Sequence, residues 1–212
     1  MRKALDIVAK NLSIIFYPLF IPTYGMIIFS RAYSVHVRPL PAIWVIVTLF
    51  TTLSLTCLIP LAAICIRMSR GKVTNLQIDN PRERTMPYVY TALGFAFWSY
   101  LMVCVLKVPP YIGMVTIGAT IAIGLVAVIN RWWKISAHMT GMGGLFGGLM
   151  SYCLGIGGIP TWATICTWIG IALVIMYARL YVNAHTGAQV CAGWLLGIVC
   201  TFTPYCLFYY GI

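Results

Sequence analysis

Two short segments of the chain carry residues that could do chemistry on a phosphate. One is Arg179-Leu-Tyr-Val-Asn-Ala-His185, and the other is Ser136-Ala137-His138. An arginine presents a planar fork of donors that matches phosphate oxygens, and it stays charged at every relevant pH. One histidine can attack phosphorus as a nucleophile while a second protonates the leaving oxygen. Because the chain has only three histidines, two of them in such surroundings predict a phosphate site.

Further polar residues extend these two segments. Ser136 stands at the expected start of a helix, where its hydroxyl and the nearby N–H groups can point at an anion. Positive charge is available from Lys134 and from Arg82 and Arg84 in an earlier polar loop. Cations around the equatorial oxygens of a phosphate stabilise its transition state. We therefore expect a site that works without a metal or another cofactor.

Long apolar runs enclose these segments. The 212-residue chain is 61% hydrophobic and 8% charged, and its mean hydropathy is +0.93. A soluble domain of this composition would expose one continuous apolar patch. Runs of membrane-spanning length cover residues 11–30, 42–66, 88–106, 111–129, 139–157, 160–178 and 188–209. The chain is therefore expected to be all-α, a single integral membrane domain over residues 1–212 with a bundle of six to seven transmembrane helices.

The first apolar run, residues 11–30, is the reason that six to seven spans are predicted and not a single number. It contains Pro18 and Pro22, and a proline inside a helix removes a hydrogen bond and clashes with the preceding turn. The run is expected to be kinked, partly re-entrant or a true span.

With seven spans, the polar connections 67–87, 130–138 and 179–187 share one side of the membrane. That side carries eleven basic residues, against three on the other, Arg31, Arg38 and Lys107. Lysine and arginine are enriched in cytoplasmic loops. The site is therefore expected on the cytoplasmic side of an inner (cytoplasmic) membrane, and the protein is expected to be bacterial.

The runs 139–157 and 160–178 form a hairpin in this arrangement, so both of its ends return to the same boundary. The hairpin brings His138 and Arg179 together, with His185 a few residues beyond. The predicted catalytic loops are about 67–87, 130–138 and 179–189. Small residues at i and i+4 in this hairpin, the pairs Gly143-Gly144 and Gly147-Gly148, predict close helix packing.

Composition also argues against several other classes of site. The net charge of +11 is dispersed, without a contiguous basic tract, so nucleic acid is not an expected partner and the cations favour anionic lipid headgroups. The eight cysteines lie in apolar runs and lack C-x-x-C spacing, which predicts neither a disulfide framework nor a metal site. Three acidic residues are too few for magnesium-dependent transfer of a lipid phosphate or isoprenyl group.

Two motifs resemble signatures of a known family. Ser136-Ala137-His138 and Arg179-x5-His185-x3-Gln189 are similar to the P-S-G-H and S-R-x5-H-x3-D motifs of the type 2 phosphatidic acid phosphatases. A K-x6-R-P motif comes before both in that family, and Arg84 best matches its arginine. The similarity extends from the 77–87 loop to Gln189, with the motifs in family order.

The resemblance implies a function and a role for each residue. His185 would be the nucleophile that forms a phosphohistidine, and His138 the general acid that later activates water. The side chains of Arg84, Arg179 and Ser136 would hold the phosphate, with Ala137 in the same motif. The implied activity is metal-independent hydrolysis of a membrane lipid phosphate or diphosphate of the phosphatidate, phosphatidylglycerophosphate or polyprenyl diphosphate type.

The sequence departs from the family pattern at several positions. Ala178, Ile135 and Ala137 replace its serine, proline and glycine, and Gln77 falls where its lysine would be, so that Arg82 or Lys72 could supply that charge. The departure with the largest consequence is Gln189, which replaces the aspartate that orients the nucleophile. A glutamine carbonyl can accept a hydrogen bond from the imidazole, but it does not stabilise the imidazolium charge as a carboxylate does.

Three alternatives stay open at this point. The chain could be a phosphotransferase that passes the phosphoryl group to another alcohol, because a nucleophilic histidine permits either outcome. It could be a non-catalytic relative that binds phospholipid, as Gln189 suggests. It could also be a transporter that uses arginines to pass an anion.

Overall fold

The computed structural model describes residues 2–74, 78, 83–156 and 162–211, and the regular elements within these ranges are all helices. The helices are α1 (Arg2–Ile15), α2 (Ile21–His36), α3 (Ala42–Leu53), α4 (Ile59–Ser69), α5 (Thr85–Tyr100), α6 (Pro110–Ile129), α7 (Ala137–Ile156), α8 (Trp162–Tyr181) and α9 (Gly187–Tyr210). The predicted all-α class is confirmed for the part of the chain that is described.

Within the described ranges, two of the helices contain a π-helical turn. The turn Ser54–Leu58 joins α3 to α4 as one continuous helix, and the turn Leu101–Val105 extends α5. Close to the first turn, the indole N–H of Trp98 donates to the buried hydroxyl of Thr52 at 2.9 Å. This bond fastens α5 to α3 within the apolar interior.

Among the described residues, four helices are long and apolar enough to cross a membrane. They cover Ala42–Ser69, Thr85–Val105, Pro110–Ile129 and Gly187–Tyr210. Large apolar side chains such as Phe50, Leu93 and Leu195 are exposed on these helices, as expected where lipid replaces water. The helices indicate an integral membrane protein, whereas the count of six to seven spans stays a prediction.

The first apolar run is not one helix. α1 ends at Ile15 and α2 begins at Ile21, and Pro18 lies in the turn between them. Pro22 stands in the first turn of α2, where the absence of its N–H leaves no hydrogen bond unmade. At 1.5 Å per residue, the 14 residues of α1 extend about 21 Å, less than a hydrocarbon core. The run is therefore interrupted at Pro18, while its path as a kinked, partly re-entrant or spanning segment stays a prediction.

Helices α7 and α9 pack closely and run parallel. A Cβ atom at Gly143 would collide with the carbonyl oxygen of Trp194, and one at Gly147 would lie 2.7 Å from the carbonyl oxygen of Ile198. Close packing by the glycine pairs is therefore confirmed. At the start of both helices, the Ser136 N–H donates to the Gln189 carbonyl at 3.3 Å. The two predicted motifs are thereby held side by side.

Candidate functional site

The turn between α8 and α9 explains the spacing of Arg179 and His185. Asn183 has a φ of 52°, in the left-handed region that asparagine tolerates better than most residues. The Ala184 N–H donates to the Arg179 carbonyl at 3.1 Å, and the Asn183 N–H donates to the Leu180 carbonyl at 3.0 Å. This pair of bonds is a Schellman motif. It ends α8 and turns the chain so that His185 comes within the electrostatic reach of Arg179.

The next residues form the start of α9. The Thr186 side chain accepts from the backbone N–H of Gln189, and Gln189 Oε1 accepts from the Thr186 N–H at 3.1 Å. This arrangement is a capping box, which satisfies two backbone donors at a helix start. Sequence reasoning missed it, although the pattern Thr186-x-x-Gln189 is its signature. Gln189 therefore has a structural role at the position where the family has an aspartate.

The imidazole of His185 is held by a backbone carbonyl. Its Nδ1 lies 3.2 Å from the carbonyl oxygen of Lys134. A carbonyl can only accept, so Nδ1 carries the proton and Nε2 keeps its lone pair. Burial and the positive charge of Arg179 lower the pKa of His185 from 6.5 to about 4, although its hydrogen bonds to Lys134 and Gln189 act in the opposite direction. At neutral pH the ring is therefore uncharged, which is the form a nucleophile requires.

Ser13 of α1 connects the other two motif residues. His138 Nε2 donates to the Ser13 carbonyl at 2.9 Å, and Arg179 Nη1 donates to the Ser13 hydroxyl at 3.1 Å. These three residues are all buried, and the Ser13 hydroxyl in turn donates to the Ala9 carbonyl at 2.9 Å. The predicted approach of His138 and Arg179 is thus observed, and Ser13 is a site residue that sequence reasoning did not identify.

Arg84 reaches the site from the start of α5. Its side chain is buried, and Nε donates to the carbonyl oxygen of Ile78 at 2.6 Å. Ile78 has a φ of 48°, a conformation that β-branched residues rarely adopt and that costs energy to maintain. The Arg84 bond helps to hold this strained backbone, and it fixes the guanidinium beside the histidines.

A cavity of about 80 Å³ is lined by His138, His185 and Arg84, whereas Arg179 and Ser13 are not among its lining residues. Its polar and aromatic walls include Tyr17, Arg84, Tyr88, His138 and His185, and Ala137 also lines it. The edge of the Tyr17 ring packs against the His138 ring, with a centroid distance of 5.9 Å. Residues from several segments of the chain therefore face one cavity, whose lining includes both motif histidines and one arginine.

The remaining predicted site residues lie around this cavity or outside the described residues. Ser136 is fully buried, and its hydroxyl accepts from the Met139 N–H at 3.4 Å as a cap for α7. Lys134 contributes its carbonyl, and its positive charge lowers the pKa of His185. Arg82 lies outside the described residues.

The cavity combines the groups that phosphoryl transfer needs. A neutral imidazole can attack, a second imidazole can move a proton, and a guanidinium can neutralise phosphate oxygens. Within the described ranges, no three His, Cys, Asp or Glu side chains are close enough together to hold a metal ion. No protein-family model matches the chain, and no curated protein or solved structure is significantly similar to it.

Proposed function

We propose that the chain is an integral membrane enzyme that hydrolyses a lipid phosphate or diphosphate through a phosphohistidine. The observation that supports this proposal best is the cavity lined by His138, His185 and Arg84. Its position beside apolar helices of membrane-spanning length favours a substrate whose phosphate is attached to a lipid. We place the site at the membrane–water interface on the cytoplasmic side of an inner membrane, in a bundle of six to seven spans.

The reaction would proceed in two steps. His185 Nε2 attacks phosphorus and the bond from phosphorus to the lipid oxygen breaks, while His138 in its protonated form transfers a proton to that oxygen. Neutral His138 then takes a proton from water, and the resulting hydroxide displaces His185 from phosphorus. Inorganic phosphate leaves and the His185 lone pair is restored. Arg84 and Arg179 balance the negative charge of the phosphate in both steps.

The binding of substrate would change the hydrogen bonds of the site. His138 Nε2 and Arg179 Nη1 both donate to Ser13, so a phosphate that takes these donors must displace α1 locally or replace its acceptors. A phosphate dianion is a stronger acceptor than a hydroxyl or a carbonyl, and its charge favours the protonated form of His138. The Ser13 contacts therefore represent a closed state that the substrate opens.

The test is phosphate release by purified protein in maltoside micelles with a chelator present. The panel contains phosphatidate, phosphatidylglycerophosphate and a polyprenyl diphosphate. We expect release from at least one of them, with no turnover for His185→Ala and severely slowed turnover for His138→Ala. His36→Ala is the matched control, because His36 bonds the Tyr152 hydroxyl away from the cavity.

Other outcomes would favour the alternatives. If no lipid phosphate released phosphate while phospholipid still bound, a non-catalytic lipid-binding protein would replace the enzyme, in agreement with the capping role of Gln189. If the phosphoryl group appeared on an added alcohol in place of water, the chain would be a phosphotransferase. Anion flux into liposomes that persists in His185→Ala would indicate a transporter.

A further inference from the structure

A second cavity adjoins the phosphate site. It has a volume of about 90 Å³ and lies within the bundle, where α2, α5, α6, α7 and α9 meet. Three residues, Pro18, Ile123 and Ala137, line both this cavity and the one that contains the histidines. The two spaces therefore share a wall at the α1–α2 turn and the first residue of α7, and we name the second one the chain cavity.

The walls of the chain cavity are almost entirely apolar, and the hydroxyl groups in them already donate to backbone carbonyls. Its hydroxyl-bearing lining residues are Thr116, Thr140 and Thr201, and each hydroxyl donates to a carbonyl of its own helix. The bonds are to Gly113 at 2.8 Å, to Ser136 at 3.0 Å and to Gly197 at 2.9 Å. Other lining residues are apolar, such as Met26 and Phe95. Such a space favours hydrocarbon over water.

The size of the chain cavity follows from small residues in its walls. Gly25, Ala119, Ala122, Gly141 and Gly144 line it, and Pro18 interrupts the helix that would otherwise pass beside it. Its volume is roughly six to nine times the ~10–15 Å³ that one water molecule needs. Apolar cavities in proteins stay dry and bind apolar molecules.

We propose that the chain cavity binds one hydrocarbon chain of the lipid whose phosphate occupies the histidine cavity. This inference rests on the proposed function and adds the substrate class, a phosphate with a hydrocarbon chain that enters the bundle. The shared wall places the start of the chain next to the phosphate. The ligand chemistry is a linear or methyl-branched hydrocarbon, which an acyl lipid or an isoprenoid lipid would supply.

The test compares two variants on the same helix. Ala119→Phe places a ring in the chain cavity, whereas Gly124→Phe is its matched control, because a Cβ at Gly124 meets no atom within 4 Å. The substrates are alkyl phosphates from ethyl to octyl, and the readout is kcat/KM for phosphate release in maltoside micelles. Each alkyl phosphate partitions into micelles to the same extent in the assays of the wild type and of both variants. A difference between the proteins in how steeply kcat/KM rises with chain length therefore reports binding in the chain cavity.

We expect kcat/KM of the wild type and Gly124→Phe to rise by up to about fourfold per buried methylene. Ala119→Phe should lose this slope, because its ring occupies the space that the longer chains would fill. A slope in Ala119→Phe equal to that of Gly124→Phe would overturn the chain site while the proposed function stands. A comparison of farnesyl with dodecyl phosphate distinguishes an isoprenoid from an acyl source.

A second measurement needs neither turnover nor a folded variant. An alkyl phosphate with a photoreactive diazirine on its chain is crosslinked to the wild type, and the labelled peptides are mapped. Labels on the lining helices α2, α5, α6, α7 and α9 support the chain site. If they appear although no substrate releases phosphate, the chain site stands and the proposed function alone fails. Labels confined to other helices would contradict the chain site.

Discussion

The hydrogen bond between Arg179 and Ser13 makes a prediction about phosphate affinity. Ser13→Ala removes the hydroxyl that accepts from Arg179 Nη1 at 3.1 Å, but it leaves the backbone carbonyl that accepts from His138. Arg179 is 5% exposed, so water does not readily replace the lost acceptor. A phosphate bound at Arg179 does replace it. The substitution should therefore destabilise the free protein more than the phosphate-bound protein.

The size of the effect follows from the charge of the donor. A hydrogen bond to a charged group contributes about 1.5–3 kcal/mol, which corresponds to a roughly ten- to hundredfold change in an equilibrium constant. We expect Ser13→Ala to lower the free energy of unfolding of the phosphate-free protein by about this amount. We also expect it to tighten the binding of inorganic phosphate by a factor of up to that size.

The assay is isothermal titration of inorganic phosphate in maltoside micelles, together with melting temperatures with and without phosphate. Ser151→Ala is the matched control, because Ser151 is fully buried and its hydroxyl donates to the Gly147 carbonyl at 2.9 Å, away from the site. The control should lose stability without a gain in phosphate affinity. Weaker phosphate binding by Ser13→Ala would refute the reasoning, since Ser13 would then support the phosphate and not compete with it.

The remaining predictions concern pH and packing. The acidic limb of kcat/KM should lie near pH 4 and not near 6.5, because a protonated His185 has no lone pair. Lys134→Gln removes a positive charge that lowers the pKa of His185, and Gln189→Glu adds a negative charge beside it. Both variants should therefore move the acidic limb to higher pH. Lys107→Gln, on another face of the protein, is the control and should leave the limb unchanged. Gly143→Ala should lower the melting temperature by an amount equivalent to about 1–3 kcal/mol, because its Cβ collides with the Trp194 carbonyl. Gly170→Ala, whose Cβ meets nothing within 4 Å, should raise it slightly. An unchanged melting temperature for Gly143→Ala would contradict the packing argument.

The sequence predicted those parts of the fold that depend on local patterns. Apolar run lengths predicted the helices, and the glycine pairs predicted close packing of α7 against another helix, which the structure identifies as α9. The hairpin then explains why His138 and Arg179 meet, since both of its ends return to one boundary. The capping box at Thr186 and Gln189 was equally local. It was missed because Gln189 was compared with a family aspartate and not with helix-start patterns.

Two other features of the site could not be read from a single sequence. Ser13 meets Arg179 and His138 across 166 and 125 residues of sequence, and its pairing depends on how the broken first run packs. The partner of His185 is the backbone carbonyl of Lys134, and every residue has such a carbonyl. Lys134 was predicted as a site residue because of its side-chain charge, whereas its main-chain carbonyl makes the hydrogen bond to His185.

The carbonyl of Lys134 changes what the glutamine at position 189 means for the proposed mechanism. An orienting group must fix the tautomer of the nucleophile, and the Lys134 carbonyl does this by accepting from His185 Nδ1. A carboxylate would also stabilise the positive ring of the phosphohistidine, whereas a neutral carbonyl stabilises it less. The intermediate would therefore form more slowly, but it would also be less stable and more easily hydrolysed. On this reasoning Gln189 lowers the rate of the first step without preventing the second, so a glutamine here is compatible with turnover.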